Sequence, residues 1–290
     1  MPGLRGGPGP TPPMMRPMAR LDKGTTDNSE QTEQTVCDEV QTSDSELQTN
    51  ATTNVESASG PRRRKPPRPS LTWEKRLWAD GHHLVAGVDE VGRGAWAGPL
   101  TVGVVVLAPP PCRIPSGLRD SKLLVEEARE RLFAPVSRWC TSWAVGHAGP
   151  EECDSLGMTA SLRLATRRAF ALLPPDLLPD AVVLDGNFDY VTPEAEPSLF
   201  DEPGTPSDWV PTVQTVIKAD AKCSSVAAAS VLAKVTRDRI MRADAGFYPA
   251  FEFDRNKGYP SPTHKRALCG YGLTAIHRRS WVYVDGLPWR

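Results

Sequence analysis

Large apolar side chains are nearly missing from the start of this 290-residue chain. Residues 1–60 contain Leu4, Leu21, Val36, Val40, Leu47 and Val55 as their large aliphatics, with no Ile, Phe, Trp or Tyr. A segment so poor in core-forming residues cannot offset its ordering entropy, so residues 1–70 are expected to form a disordered tail. An excess of one charge sign is also missing: 34 Lys+Arg stand against 35 Asp+Glu, and no overall basic field marks a polyanion partner. Long hydrophobic runs are lacking as well. The longest, Val102–Ala108, spans seven residues, too short to cross a bilayer. The Pro- and Gly-rich beginning has no apolar core that could serve as a secretory signal. The six cysteines, Cys37, Cys112, Cys140, Cys153, Cys223 and Cys269, form no C-x-x-C pair, which excludes a disulfide framework or a paired zinc site. Reduced thiols and a cytoplasmic location are the expectation.

What is present begins with Pro61-Arg62-Arg63-Arg64-Lys65-Pro66-Pro67-Arg68-Pro69, a basic proline-rich linker closing the tail. From about Leu71 the composition turns globular, and 71–290 reads as one domain. Val-rich stretches bounded by Gly and Pro predict strands over His83–Val91 and Leu100–Ala108, with further strands at Cys140–Ala148, Ala181–Leu184 and Val210–Lys218. Helical spacing predicts helices between Asp120 and Arg138, over Glu151–Leu173 and over Ala221–Ala243. The last of these carries Ala227, Ala228, Ala229 and Ala233, a small-residue face that can lie close to a sheet. Residues 188–209 lack periodicity and read as a surface insertion. The elements together predict an α/β domain.

Four acids stand where strands end or helices begin. Asp89 and Glu90 close the first strand, Asp185 closes Ala181–Leu184, and Asp220 opens the Ala-rich helix. Carboxylates in these positions border the cleft of an open α/β sheet. Several converging acids would suit a hard divalent cation such as Mg²⁺, as phosphoryl transfer requires. Singly, each acid is also ordinary turn chemistry. Neighbours on a regular strand face opposite ways, so Asp89 and Glu90 could act together only if the strand breaks there, and Gly92 and Gly94 suggest such a break. Gly92-Arg93-Gly94 lacks the spacing of a dinucleotide fingerprint, but its glycines would let backbone approach a ligand.

The run Gly87–Pro99 (GVDEVGRGAWAGP) resembles the opening motif of bacterial ribonuclease HII. Asp120-Ser121-Lys122-Leu123, Leu184-Asp185-Gly186, Lys218–Lys222 with Ala227–Asp238, Asn256-Lys257-Gly258-Tyr259 and His277–Trp281 follow in that family's order. The resemblance spans about residues 72–282. It implies a ribonuclease H-like fold: a mixed five-stranded sheet flanked by helices, with a C-terminal helical extension. It implies cleavage of RNA in RNA–DNA hybrids, and at ribonucleotides embedded in duplex DNA, leaving 5′-phosphate ends by a two-metal mechanism with Mn²⁺ or Mg²⁺. Asp89, Glu90, Asp185 and Asp220 look like its metal-binding acids. Gly92, Arg93 and Gly94 look like the loop reading the ribose 2′-hydroxyl, and Tyr259 like the junction-sensing tyrosine. Lys122, Lys222 and Ser225 are expected at phosphates. A monomer without membrane association is expected.

This chain departs from the family pattern in the 188–209 insertion, in Cys223 where Ser is more usual, and in Pro260-Ser261-Pro262 after Tyr259. His82, His83, His147 and His264 lack the spacing of metal ligands and read as structural or surface residues, and the tryptophans as packing. His277-Arg278-Arg279 could cap or approach the acids. A resolvase or integrase of similar fold is disfavoured by the Gly92–Gly94 loop together with Tyr259. A non-catalytic hybrid-binding protein is disfavoured because all four acids are present.

Overall fold

The computed structural model describes residues 68–111, 113–192 and 209–287. The tail over 1–67 and residues 193–208 of the expected insertion lie outside these. The first described element is the helix α1 (Thr72–Ala79), followed by β1 (Val85–Val91) and β2 (Leu100–Leu107). Then come α2 (Glu126–Trp139), β3 (Ser142–Ala148), α3 (Pro150–Ala171), β4 (Ala181–Asp185), β5 (Thr212–Val216) and α4 (Ser224–Ala245). Two short helices, α5 (Phe253–Asn256) and α6 (Pro262–Tyr271), complete the C-terminal part. The five strands form one mixed sheet in the order β3-β2-β1-β4-β5. β1 pairs antiparallel with β2 and parallel with β4, and β4 pairs parallel with β5. This is the ribonuclease H-like arrangement expected from the sequence.

β2 is buried along all eight residues, as its unbroken Val-rich run requires of a strand covered on both faces. Even-numbered β1 residues Ala86 and Val88 join the cluster under α3, with Leu162, Ala165, Ala169 and Phe170. Val85 faces the opposite way, with Val183, Val226 and Leu77 of α1. On that face α4 lies unusually close to the sheet. A Cβ added to Gly87 would stand 2.2 Å from the Ser225 carbonyl carbon, and one on Gly103 2.6 Å from the Ala229 oxygen. The small residues of α4 and the glycines of β1 and β2 thus fit each other, and substituting either glycine would push the helix off the sheet.

Two expectations are corrected here. The strand does not break at Asp89-Glu90: pairing with β2 continues through Asp89↔Gly103, Glu90↔Val102 and Val91↔Thr101. The start of the 188–209 segment is not wholly at the surface either, although Phe188 is exposed. Tyr190 and Val191 are buried, because they complete the cluster under α3. Ser70, one residue ahead of the expected boundary, is bound on both sides: its N–H donates to the Lys222 carbonyl at 2.9 Å, and the Ser224 N–H donates to its carbonyl at 3.0 Å. Among the described residues Cys140, Cys153, Cys223 and Cys269 are in no disulfide, and no helix is long and apolar enough to cross a membrane.

Candidate active site

The register explains how the four acids meet. β1 and β4 run parallel with Val88 beside Leu184, so the next residues, Asp89 and Asp185, end flush on the same face. β4 stops at Asp185 while β1 runs on to Val91 paired with β2 alone. The resulting step in the sheet edge exposes an opening on the β4 side of Asp89 and Glu90. Asp89, paired with Gly103, points toward α4. Glu90 points toward α3. The two acids therefore straddle an unbroken strand end, and this geometry replaces the strand break that alternation alone suggested. Asp220 arrives from the short 3₁₀ turn Ala219–Ala221 ahead of α4, on the side of Asp89 and Asp185.

Each carboxylate is held by a different donor. The Ser230 hydroxyl bonds Asp89 and is itself 2.8 Å from the Ser121 hydroxyl. The Tyr190 hydroxyl donates to Glu90 Oε2 at 2.9 Å. The Ala219 N–H donates to Asp185 Oδ1 at 2.6 Å, and Lys122 Nζ donates to Asp220 Oδ2 at 3.2 Å. Burial pushes the Asp89 carboxyl well above the usual range, and the neighbouring Glu90 and Asp185 charges push it further. Asp185 is raised for the same reasons, burial first, then Asp220 and Glu90, against the Ala219 N–H. Tyr190 is raised strongly by burial and by the same acids. Burial works against the Lys122 charge, but Asp89 and Asp220 outweigh it and raise its pKa.

An all-oxygen set of acids that repel one another, with one lysine among them, has the composition that a hard divalent cation neutralises. Among the described residues no three His, Cys, Asp or Glu side chains stand as a ready-made ligand set. Their electrostatic coupling nevertheless fits them to share a cation, and among the described residues the second oxygens of Asp185 and Asp220 accept no such bond.

The Gly92-Arg93-Gly94 loop follows directly. Gly92 has φ +88°, and a Cβ there would lie 2.3 Å from Arg237 Nε, so both conformation and space require glycine. Its N–H donates to the Tyr259 hydroxyl at 3.1 Å, joining the two motifs that the sequence placed 167 positions apart. Arg93 and Gly94 are exposed, and Arg93 lies 3.6 Å from Glu90 Oε1. The loop is held from behind by two fully buried arginines. Arg237 of α4 donates to the carbonyls of Pro99 (2.8 Å), Ala97 (3.0 Å) and Lys257 (2.8 Å), with its guanidinium over the Tyr259 ring. Arg278 donates to the carbonyls of Gly98 and Arg93. It therefore approaches the glycine loop rather than the acids.

The remaining expected site residues divide. Lys122 stands at Asp220 with its side chain 71% exposed. Lys222 is exposed beside the site, its ammonium on the Ile217 carbonyl at 2.7 Å. Ser225 does not serve as expected. It is fully buried, and both its N–H and its hydroxyl donate to Glu74 Oε1, at 2.8 and 2.7 Å. Glu74 of α1 thereby caps the first turn of α4 across the fold, leaving no Ser225 hydroxyl for a phosphate. Sequence reasoning missed Tyr190, Ser230, Glu74 and Arg237. Only Arg237 had a readable signal: a cation on the small-residue helix that faces the sheet.

A family model described as Ribonuclease HII matches residues 86–284. The chain is 51% identical to ribonuclease HII of Streptomyces avermitilis over 225 residues, 77% of this chain and 88% of that one. It is 43% identical to ribonuclease HII of Thermus thermophilus over 217 residues, 75% and 95% of the two chains. Among solved structures, ribonuclease H2 of Pyrococcus horikoshii matches with a TM-score of 0.56 at 31% identity, covering 70% of this chain and 95% of that one. The archaeal RNase HII in a PCNA:RNase HII complex from Archaeoglobus fulgidus matches at 0.51 and 26% identity, covering 68% and 95%.

Proposed function

Because this chain belongs to the ribonuclease HII family and is a ribonuclease H enzyme, we propose that it hydrolyses the RNA strand of RNA–DNA hybrids and the backbone at ribonucleotides embedded in duplex DNA. The observation that carries this reading is the 3.1 Å bond between the Gly92 N–H and the Tyr259 hydroxyl, which joins the glycine loop that follows Glu90 to an aromatic ring. Asp89, Glu90, Asp185 and Asp220 would hold Mn²⁺ or Mg²⁺. Such ions supply an activated water and charge stabilisation at the departing oxygen, in a two-metal displacement.

The chain's own residues account for recognition. The exposed residues Arg93 and Gly94 can meet the ribose 2′-hydroxyl, the group that distinguishes RNA from DNA. Tyr259, steadied by Arg237 and Lys234 over its ring at 5.3 and 5.5 Å, can pack on the sugar of the following nucleotide, where a deoxyribose fits best. Lys122 and the exposed Lys222 add positive charge for the phosphates. Cleavage on the 3′-oxygen side would leave a 5′-phosphate and a 3′-hydroxyl. The protein is proposed to work as a monomer.

The test is a labelled duplex with one ribonucleotide, incubated with and without Mg²⁺ or Mn²⁺. Cation-dependent incision at the ribonucleotide, with a downstream 5′ end that phosphatase treatment alters, is the expected result. Absence of incision with either cation would overturn the proposal, as would equal cutting of an all-DNA duplex.

A further inference from the structure

Glu90 is the acid that faces α3, and the group fixing it comes from outside the motif that contains it. Tyr190 lies in the turn after β4, 4% exposed, with its hydroxyl donating to Glu90 Oε2 at 2.9 Å. The other oxygen, Oε1, faces Arg93 at 3.6 Å, a side chain 63% exposed.

The turn is built to hold the phenol in place. Asp189 Oδ1 accepts the N–H groups of Val191 (2.8 Å) and Thr192 (3.0 Å), and its Oδ2 accepts the Thr192 hydroxyl. Arg163 of α3 donates to the Thr192 carbonyl at 2.8 Å. Packing alone would be served by Phe at this core position, because burying a hydroxyl is unfavourable unless it is hydrogen-bonded. Here the partner is a carboxylate of the acid cluster.

We propose that Tyr190 is a positioning residue of the active site, whose phenol fixes Glu90 in the orientation that lets it serve, with Asp89 and Asp185, as a ligand for the divalent cation. The inference rests on the metal-binding reading above. Glu90 has three side-chain torsions, and like-charged neighbours favour its swinging away toward Arg93. A donor anchored in the core opposes that swing before any cation arrives. Removing groups that orient ligands typically weakens metal binding by about 10–100-fold.

The experiment titrates Mn²⁺ calorimetrically into the wild type, Y190F, E90A and the double variant, and follows each melting temperature in EDTA and in Mn²⁺. Y190F is expected to bind Mn²⁺ about tenfold more weakly, with a smaller Mn²⁺-induced rise in melting temperature. In the E90A background, Y190F should cause no further loss. Where Y190F costs packing, melting falls equally with and without Mn²⁺, so the Mn²⁺-dependent part still reports on positioning. Wild-type affinity in Y190F alongside weakened binding in E90A would overturn the inference and leave the metal reading intact. Undiminished binding in E90A as well would overturn the metal reading itself. A further loss on adding Y190F to E90A would show that Tyr190 acts other than through Glu90, and would also overturn the inference.

Discussion

Replacing Asp89 by Asn is expected to stabilise the cation-free protein while abolishing cleavage. Asp89 is 4% exposed and feels the charges of Glu90 and Asp185. Folding raises its pKa, so the native state binds its proton more tightly than the unfolded chain. Stability of the wild type therefore declines as pH rises from the unfolded value of about 4 through the raised native value. Asn has no charge to titrate and keeps an oxygen for the Ser230 hydroxyl. Each tenfold bias toward the protonated carboxyl is worth about 1.4 kcal/mol, and burying the amide offsets part of it. A higher melting temperature than wild type is expected at pH 8, each 1 kcal/mol of net gain moving it by about 2–4 °C in a domain of this size. Circular dichroism melts in EDTA from pH 4 to pH 8 should show the gain vanishing toward pH 4. Saturating Mn²⁺ should reverse the order, because a ligand at a hundred times its Kd adds about 2.7 kcal/mol to the species that binds it. A variant that melts below wild type at every pH, or a gain independent of pH, would refute the electrostatic reading of the cluster. Near-normal turnover would refute its role in cleavage.

Three further outcomes follow from other parts of the fold. Tyr259→Ala should lower cleavage at an isolated ribonucleotide by about 10–100-fold while sparing long hybrids more; an unchanged ratio between the two substrates would count against junction sensing. A chain beginning at Leu71 loses both Ser70 bonds, so at about 0.5–1.5 kcal/mol each it should melt several degrees below one beginning at Arg68. Equal melting temperatures would show that Ser70 contributes nothing. Arg237→Lys cannot reach the three carbonyls in a fork and should destabilise by about 2–4 kcal/mol, read as a lower denaturation midpoint in urea. Wild-type stability would mean those carbonyls are satisfied in another way.

Much of the site was legible because its acids occupy positions set by local pattern. Asp89 and Asp185 sit at the ends of the buried stretches of β1 and β4, Asp220 comes shortly after the largely exposed β5, and parallel pairing brings these strand ends together. The conflict over Glu90 arose because alternation describes one strand in isolation. The unequal lengths of β1 and β4, which let both faces of the strand end reach one opening, are a property of the pair. Ser225 misled for a related reason: it lies beside Asp220 in sequence, yet its hydroxyl is committed to Glu74, 151 positions away. Tyr190 was hidden in a segment without periodicity, where burial depends on an Asp189-centred turn and on Arg163 rather than on any repeat. Arg237 showed only as a cation on the helix that faces the sheet, and Arg278 as a residue that could approach the acids; the carbonyls that surround both are set by distant loops.

The Arg237 guanidinium bonds carbonyls from both the 97–99 and the 257 backbone, and this ties the ordering of two loops into a single event. If each loop closed on the nucleic acid separately, each would lose its own backbone entropy on binding, at about 1–2 kcal/mol per residue fixed. With both tethered to one rigid cation on α4, that entropy is already lost when the chain folds. The surface that meets the sugar backbone is then preorganised, and its hydrogen bonds count almost fully toward discriminating one sugar from the next. Amide exchange across Gly92–Pro99 and Lys257–Tyr259 should accordingly slow or quicken together, as one cooperative unit, when α4 is perturbed at position 237.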